Sequence, residues 1–191
     1  MNNPLLSILI CTLPKRKEMF DALMKDLILQ MPIEPPEDIQ ILTDDSEFDS
    51  IGEKRNRLLE KAQGKYLCFV DDDDSVSENY IKLLIEAAKS DQDCASLKGE
   101  ITIDDGDPEI FEHSLIYDKW KTNPEESAIR YERFPNHLNM IRSDIAKQFK
   151  FPEKNHGEDF DWSTELHKSG LLKTEHYIPE VIYYYNYITN K

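Results

Sequence analysis

The chain has 191 residues, carrying 23 lysines and arginines against 38 aspartates and glutamates for a formal net charge of −15. That length allows one domain with a substantial core, and that charge repels nucleic acid and anionic membranes, which sets nucleic acid aside as a partner. It repels phosphorylated ligands too, so a bound nucleotide would need a divalent cation as intermediary.

Residues 4–12 are an apolar run of strand length. Across residues 15–30 the period changes: Phe20, Leu23, Met24, Leu27 and Ile28 recur at helical spacing with charges opposite. Pro32, Pro35 and Pro36 close that helix, and residues 38–43 give another strand, which runs into Asp44-Asp45. Ile51, Leu58, Leu59 and Ala62 mark a helix over residues 51–63, stopped by Gly64. Then an apolar stretch, residues 66–70, runs straight into Asp71-Asp72-Asp73-Asp74. Such a run reads as a strand buried on both faces. Two unit charges about 4 Å apart repel by roughly 4 kcal/mol at an effective dielectric near 20, so this acidic end requires an offset. A solvated acidic loop is the plain reading; the position at a buried strand end favours a metal site. In an extended chain Asp71 and Asp73 would face one side, and Asp72 and Asp74 the other.

Ser75 to Glu78 fits a capping box for a helix carrying Ile81, Leu84, Ile85 and Ala88 on one side, and residues 93–97 form a further strand. Strands alternating with helices predict an α/β fold with a mainly parallel central sheet, right-handed crossovers and helices on both faces. Ligands bind such sheets outside the carboxyl ends of the strands. Thr12, Asp44-Asp45 and Asp71 to Asp74 should therefore converge. No glycine-rich phosphate loop is present, so acids plus metal would hold a nucleotide.

The second half is less regular. Residues 99–117 mix strand-like pieces with an acidic turn, Asp104-Asp105-Gly106-Asp107-Pro108, and residues 119–132 read as polar loop. Residues 143–149 suggest a short helix. Residues 158–168 suggest a longer one, with Phe160, Trp162 and Leu166 buried and Gly170 as its stop. Residues 171–177 and 181–187 read as closing strands. Cys11, Cys68 and Cys94 lie in or beside apolar runs, which predicts buried thiols in a reducing compartment. Without a signal-peptide pattern or a bilayer-length apolar segment, the expectation is a soluble, cytoplasmic protein.

Five segments, in order, are similar to those of GT-A-fold glycosyltransferases, family 2 in particular. They are Thr12-Leu13-Pro14-Lys15-Arg16, Asp44-Asp45-Ser46, Gly52-Glu53-Lys54-Arg55-Asn56, the hydrophobic strand into Asp71-Asp72-Asp73-Asp74, and Glu158-Asp159-Phe160-Asp161. The resemblance implies a single GT-A domain whose nucleotide-sugar-binding half is about residues 1–104 and whose acceptor-side half is about residues 105–191. It implies hexosyl transfer from a nucleotide-diphosphate sugar, expected to be a UDP-sugar, to a hydroxyl of a glycan, lipid or protein acceptor. Asp159 would be the general base of a single inverting displacement. Asp71 and Asp73 would hold Mn²⁺ or Mg²⁺ against the diphosphate, Asp73 having the stronger claim, and Asp71 and Asp72 would touch the nucleotide sugar. Asp44 would accept the ring N–H of a pyrimidine beside the Thr12 backbone, or serve as an ordinary turn aspartate. Arg55 would approach the diphosphate, or else pair with the acidic cluster. Glu158 would hydrogen-bond the sugar or complement its helix dipole.

Two departures stand out. No histidine falls in residues 183–187, where many relatives supply a third metal ligand. The chain is also short for the family, which implies acceptor-side elements that are pared down or supplied by an oligomer or a partner subunit. His137, His156, His167 and His176 show no ligand spacing and are assigned structural duty; Trp120, Trp162 and Tyr183-Tyr184-Tyr185 are assigned to packing ahead of sugar stacking. The rival readings are a haloacid-dehalogenase-like phosphatase with Asp71 as nucleophile, and a non-catalytic nucleotide-sugar-binding subunit. An EF-hand fails at Val76 and Lys82.

Overall fold

The computed structural model describes residues 3–31, 39–104 and 106–189. Pro32, Pro35, Pro36, Asp38 and Asp105, assigned above to a helix end, a strand start and an acidic turn, lie outside the described residues. In chain order the elements are β1 (Leu6–Cys11), a 3-10 turn (Pro14–Arg16), α1 (Lys17–Leu29), β2 (Ile39–Asp44), α2 (Ile51–Lys61), β3 (Tyr66–Phe69), β4 (Ser75–Val76) and α3 (Tyr80–Lys89). There follow β5 (Cys94–Ala95), β6 (Leu97–Ile103), β7 (Glu109–His113), β8 (Lys121–Thr122), β9 (Tyr131–Arg133), β10 (Ile141–Arg142), α4 (Ser143–Ala146), α5 (Glu158–Ser169), β11 (Glu175–His176) and β12 (Val181–Tyr187).

Two six-stranded sheets organise the described residues, in the orders β11-β5-β10-β3-β1-β2 and β4-β12-β6-β7-β9-β8. In the first, β10 alone runs against the rest, so the expected mainly parallel sheet is present. Its central strands are buried on both faces. Leu6, Ile8 and Ile10 of β1, with Tyr66 and Cys68 of β3, pack into one core with Leu23 and Leu27 of α1 and Ile81 and Leu84 of α3. The alternate residues Leu9, Cys11, Leu67 and Phe69 join Leu58 and Leu59 of α2 and Trp162 and Leu166 of α5 on the other side. A period of two in β1 and β3 thus feeds two layers of helix, each fully buried Leu or Ile contributing about 1.5–3 kcal/mol. All three cysteines are free and buried, as expected.

Several local expectations are corrected. Ser75-Val76 does not cap a helix: it pairs as β4 with Tyr183 and Tyr184, the Ser77 N–H donates to the Ile182 carbonyl, and α3 starts at Tyr80 without a side-chain cap. The capping box is at Ser50 and Glu53, opening α2. Gly64 does not end α2, which stops at Lys61; a Cβ at residue 64 would sit 2.5 Å from the Ser7 backbone nitrogen, so glycine is required for close passage beside β1. Ile28 and Phe160 are exposed, turned off the cores their periodicity assigned them to. Residues 119–132 carry β8 and β9 of the second sheet, and strand structure in residues 171–177 is confined to β11. No helix among the described residues is long and apolar enough to cross a membrane.

Candidate active site

The carboxyl ends of β1, β2 and β3 lie side by side, because β1 pairs in parallel with both neighbours and places Cys11 opposite Asp44. The Thr12 N–H donates to the Asp44 carbonyl at 2.9 Å, extending the ladder one step beyond the strand. Past β3 the acidic run folds into a turn in which the Asp74 N–H donates to the Asp71 carbonyl at 3.2 Å. The run is therefore not extended and the expected alternation fails: Asp71 and Asp74 line one cavity, whereas Asp72 and Asp73 both meet Arg16.

Each aspartate has its own offset. The Thr12 hydroxyl and the Arg16 guanidinium each donate to Asp72 at 2.7 Å, and Arg16 also stands 3.3 Å from Asp73. The Tyr183 hydroxyl accepts from the Asp71 N–H at 3.1 Å and donates to Asp74 at 2.8 Å, tying β12 to both ends of the turn. Burial, reinforced by the neighbouring Asp71, pushes the Asp74 carboxyl well above the usual carboxylate range. Burial also opposes charge on Asp71, but the Arg55 guanidinium outweighs it and holds that carboxyl well below the usual range.

Arg55 is the hub. It rises from α2 into a buried slot over the Phe69 ring, 5.1 Å from its centroid, donates to Asp71 at 3.1 Å and stands 3.2 Å from Glu158. Of the two roles expected for it, pairing with the acidic cluster is the one formed. Asp44 is likewise engaged: Arg57 grips both its oxygens at 2.8 and 3.1 Å and Ser46 donates to it. Burial works against its charge, but these bonds lower the carboxyl from 3.8 to about 2. A nucleobase N–H at Asp44 would share an acceptor with Arg57. Buried Lys54 donates to the Thr12 carbonyl at 2.8 Å, placing a further cation at this end of the sheet.

Asp159 arrives from the opposite side. Gly157, at φ +71°, turns the chain into α5, and Glu158, Asp159 and Asp161 occupy its first turn, where acids complement the helix dipole. Asp71 and Asp159 open onto one cavity of about 90 Å³. Between them stands His137, with Nε2 3.5 Å from Asp71 and Nδ1 3.8 Å from Asp159. Both ring nitrogens are buried without a hydrogen bond. Asp73 is not among the residues lining this cavity; it adjoins Arg16 at the rim nearer Thr12.

Sequence reasoning placed Thr12, Asp44, Arg55, Asp71, Asp72, Asp73, Glu158 and Asp159, and the fold brings all of them to one end of the first sheet. It assigned His137 to structural duty and overlooked Lys54, Arg57, His113 and Arg133. The signal for Arg57 was its place in α2 two residues beyond Arg55, within reach of the Asp44 turn. His137 carried a weaker one, a histidine between two asparagines just ahead of β10.

Among the described residues no three His, Cys, Asp or Glu side chains gather closely enough to hold a metal by themselves. The donor set still suits Mg²⁺ or Mn²⁺, because such ions take one or two carboxylates and fill the remaining positions with water and substrate phosphate oxygens.

This topology, with its acidic turn after β3 and an acidic helix start opposite, is that of a GT-A glycosyltransferase fold. The crystal structure of S. aureus TarS 1–349 superposes with a TM-score of 0.63 at 15% identity, covering 95% of this chain and 60% of that one. The same protein in complex with UDP-GlcNAc gives 0.63 at 14% identity over 97% and 59%. This chain thus spans about 60% of the length of that TarS fragment. The sequence profile of glycosyl transferase family 2 matches residues 8–152, well over half of the chain, and the chain belongs to that family. A comparison with curated protein sequences finds no match.

Proposed function

We propose that this protein transfers a sugar from a nucleotide-diphosphate donor, a UDP-sugar, to an acceptor hydroxyl with inversion of configuration. The observation that carries the proposal is the meeting of Asp71 and Asp159, from opposite sides of the fold, on one cavity. Membership of glycosyl transferase family 2 supports the reaction class, and a TarS structure that contains UDP-GlcNAc supports the donor class.

Three tasks fall to the chain's residues: positioning the donor, stabilising the leaving diphosphate and accepting a proton from the incoming hydroxyl. Asp159 is partly exposed beside the cavity and takes the proton. Asp73, with Asp71, would hold Mg²⁺ or Mn²⁺, which when bound neutralises the diphosphate. Arg16 and Arg55 set the geometry of the acidic turn by gripping Asp72 and Asp71. Asp44 and the Thr12 backbone flank the place for the base, and Glu158, paired with Arg55, fixes the start of α5 beside the sugar.

The test is Asp159→Asn, which keeps shape and removes basicity. Turnover should fall by about 10²–10⁴ while UDP affinity stays unchanged. Wild-type turnover in this variant would refute the base assignment. Donor hydrolysis by the wild-type protein in Mn²⁺ separates a transferase from a non-catalytic binding subunit.

A further inference from the structure

The cavity shared by Asp71 and Asp159 is also lined by residues that the proposed chemistry leaves unused. There β9 delivers Arg133, whose guanidinium lies over the Trp120 ring at 4.3 Å and near Tyr131 at 5.9 Å. Among the described residues it makes no side-chain hydrogen bond and no ion pair within 4 Å. Asp159 acts on it only at longer range. A guanidinium carries five N–H donors in a planar fork and no acceptor, and burial without a partner depresses its pKa. The groups around it are also unfilled. His113, 2% exposed, has a buried Nδ1 without a partner, and both ring nitrogens of His137, 5% exposed, are in the same state. Burial and the nearby Arg133 hold His113 neutral, so it brings no competing charge. The apolar wall of Phe111, Leu138 and Tyr185 suits the C–H face of a sugar ring.

The orphaned ring nitrogens of His113 and His137 are expensive unless a ligand satisfies them, and the half-buried Arg133 adds an unpaired guanidinium beside them. A planar fork braced on an aromatic ring matches a carboxylate or phosphate bidentately, which neutral hydroxyls do not. We propose that Arg133, with His113 and His137 beside it, selects a saccharide bearing an anionic group, a carboxylate or a phosphate. This rests on the sugar-transfer reading and adds the charge class of the substrate. Arg133 is a specificity-determining residue here; it takes no part in bond making.

Calorimetric titration tests it in two arms. In Mn²⁺ the wild-type protein is titrated with UDP, UDP-glucose and UDP-glucuronate. With and without UDP present, it is then titrated with glucose, glucuronate and glucose 6-phosphate. An anionic ligand should bind at least about tenfold more tightly than its neutral counterpart, equivalent to about 1.4 kcal/mol. Arg133→Gln should abolish that preference with UDP affinity within about twofold, and Arg133→Lys should keep part of it. Preference in the first arm places the anion on the transferred sugar, and preference in the second places it on the acceptor; either supports the proposal. Equal affinity for charged and neutral ligands in both arms overturns it, and so does a preference that survives Arg133→Gln. UDP binding without charge preference refutes this inference alone. Absence of any UDP binding refutes the donor reading, and this inference falls with it.

Discussion

Asp44 makes its case through its partners. Its folded carboxyl titrates at about 2 against an ordinary 3.8, so the folded chain binds this proton less readily than the unfolded one. The resulting stability is fully present above about pH 4 and is lost as pH falls through 2. Asp44→Asn should therefore cost on the order of 2 kcal/mol at pH 7 in urea denaturation, and the gap from wild type should narrow between pH 4 and 2. Arg55→Met should cost more, about 3–5 kcal/mol, because it strands Asp71 and the 4%-exposed Glu158 without their cation. An unchanged midpoint would show that the Phe69 contact, not the charges, gives Arg55 its value. At this scale the acids were legible and their cations mostly were not. Four aspartates in a row announce themselves at a strand end, whereas Arg57 meets Asp44, and His137 and Arg133 reach the cavity, only when separate segments fold together.

Among the elements, β1, α1, α2 and β3 follow from hydrophobic pattern, with Ile28 at the end of α1 the exception. The failures share a physical cause: a tertiary pairing overrode a local signal. Ser75 and Glu78 have the spacing of a capping box, but β12 claims that backbone for a ladder. The box that exists, at Ser50 and Glu53, should be worth about 1 kcal/mol, read as the loss in thermal or urea unfolding of Ser50→Ala. Gly64→Ala should be far worse than a helix-stop glycine would predict, since the added methyl meets the β1 backbone and nothing flexible can yield. If that variant melts within a few degrees of wild type, the close passage beside β1 is wrong.

For the molecule as a whole, the first sheet was legible as a sheet, whereas of the second only β6, β7 and β12 were legible, as strands within residues 99–117 and 181–187 and not as a sheet. The second is assembled from three short strands (β4, β8 and β9), a β6–β7 antiparallel pair and β12 brought beside β6 from far along the chain, and no local rule reports the long-range pairings. Net charge was readable at once, and it carries a prediction. A surface with a net charge of −15 should oppose UDP when no metal is present. UDP affinity in EDTA should thus be weak at about 10 mM salt and rise toward 150 mM as screening sets in. In Mn²⁺ the affinity should be higher throughout and the salt trend flatter. The opposite trend in EDTA would mean that Lys54, Arg16 and Arg57 dominate the local field.

The cavity's floor is fastened through main-chain atoms. The Phe69 N–H donates to the His137 carbonyl at 2.9 Å and the Ala95 N–H to the Met140 carbonyl at 2.9 Å, so the segment bearing Asn136 and His137 is stitched to β3 on one side and β5 on the other. The Asn136 and Asn139 side chains brace this frame, Asn139 donating to the Ala95 and His113 carbonyls, whereas the His137 ring makes no hydrogen bond in it. Randomising positions 113, 133 and 137 should consequently return mostly folded proteins with altered tastes, a practical starting point for retargeting this scaffold by directed evolution.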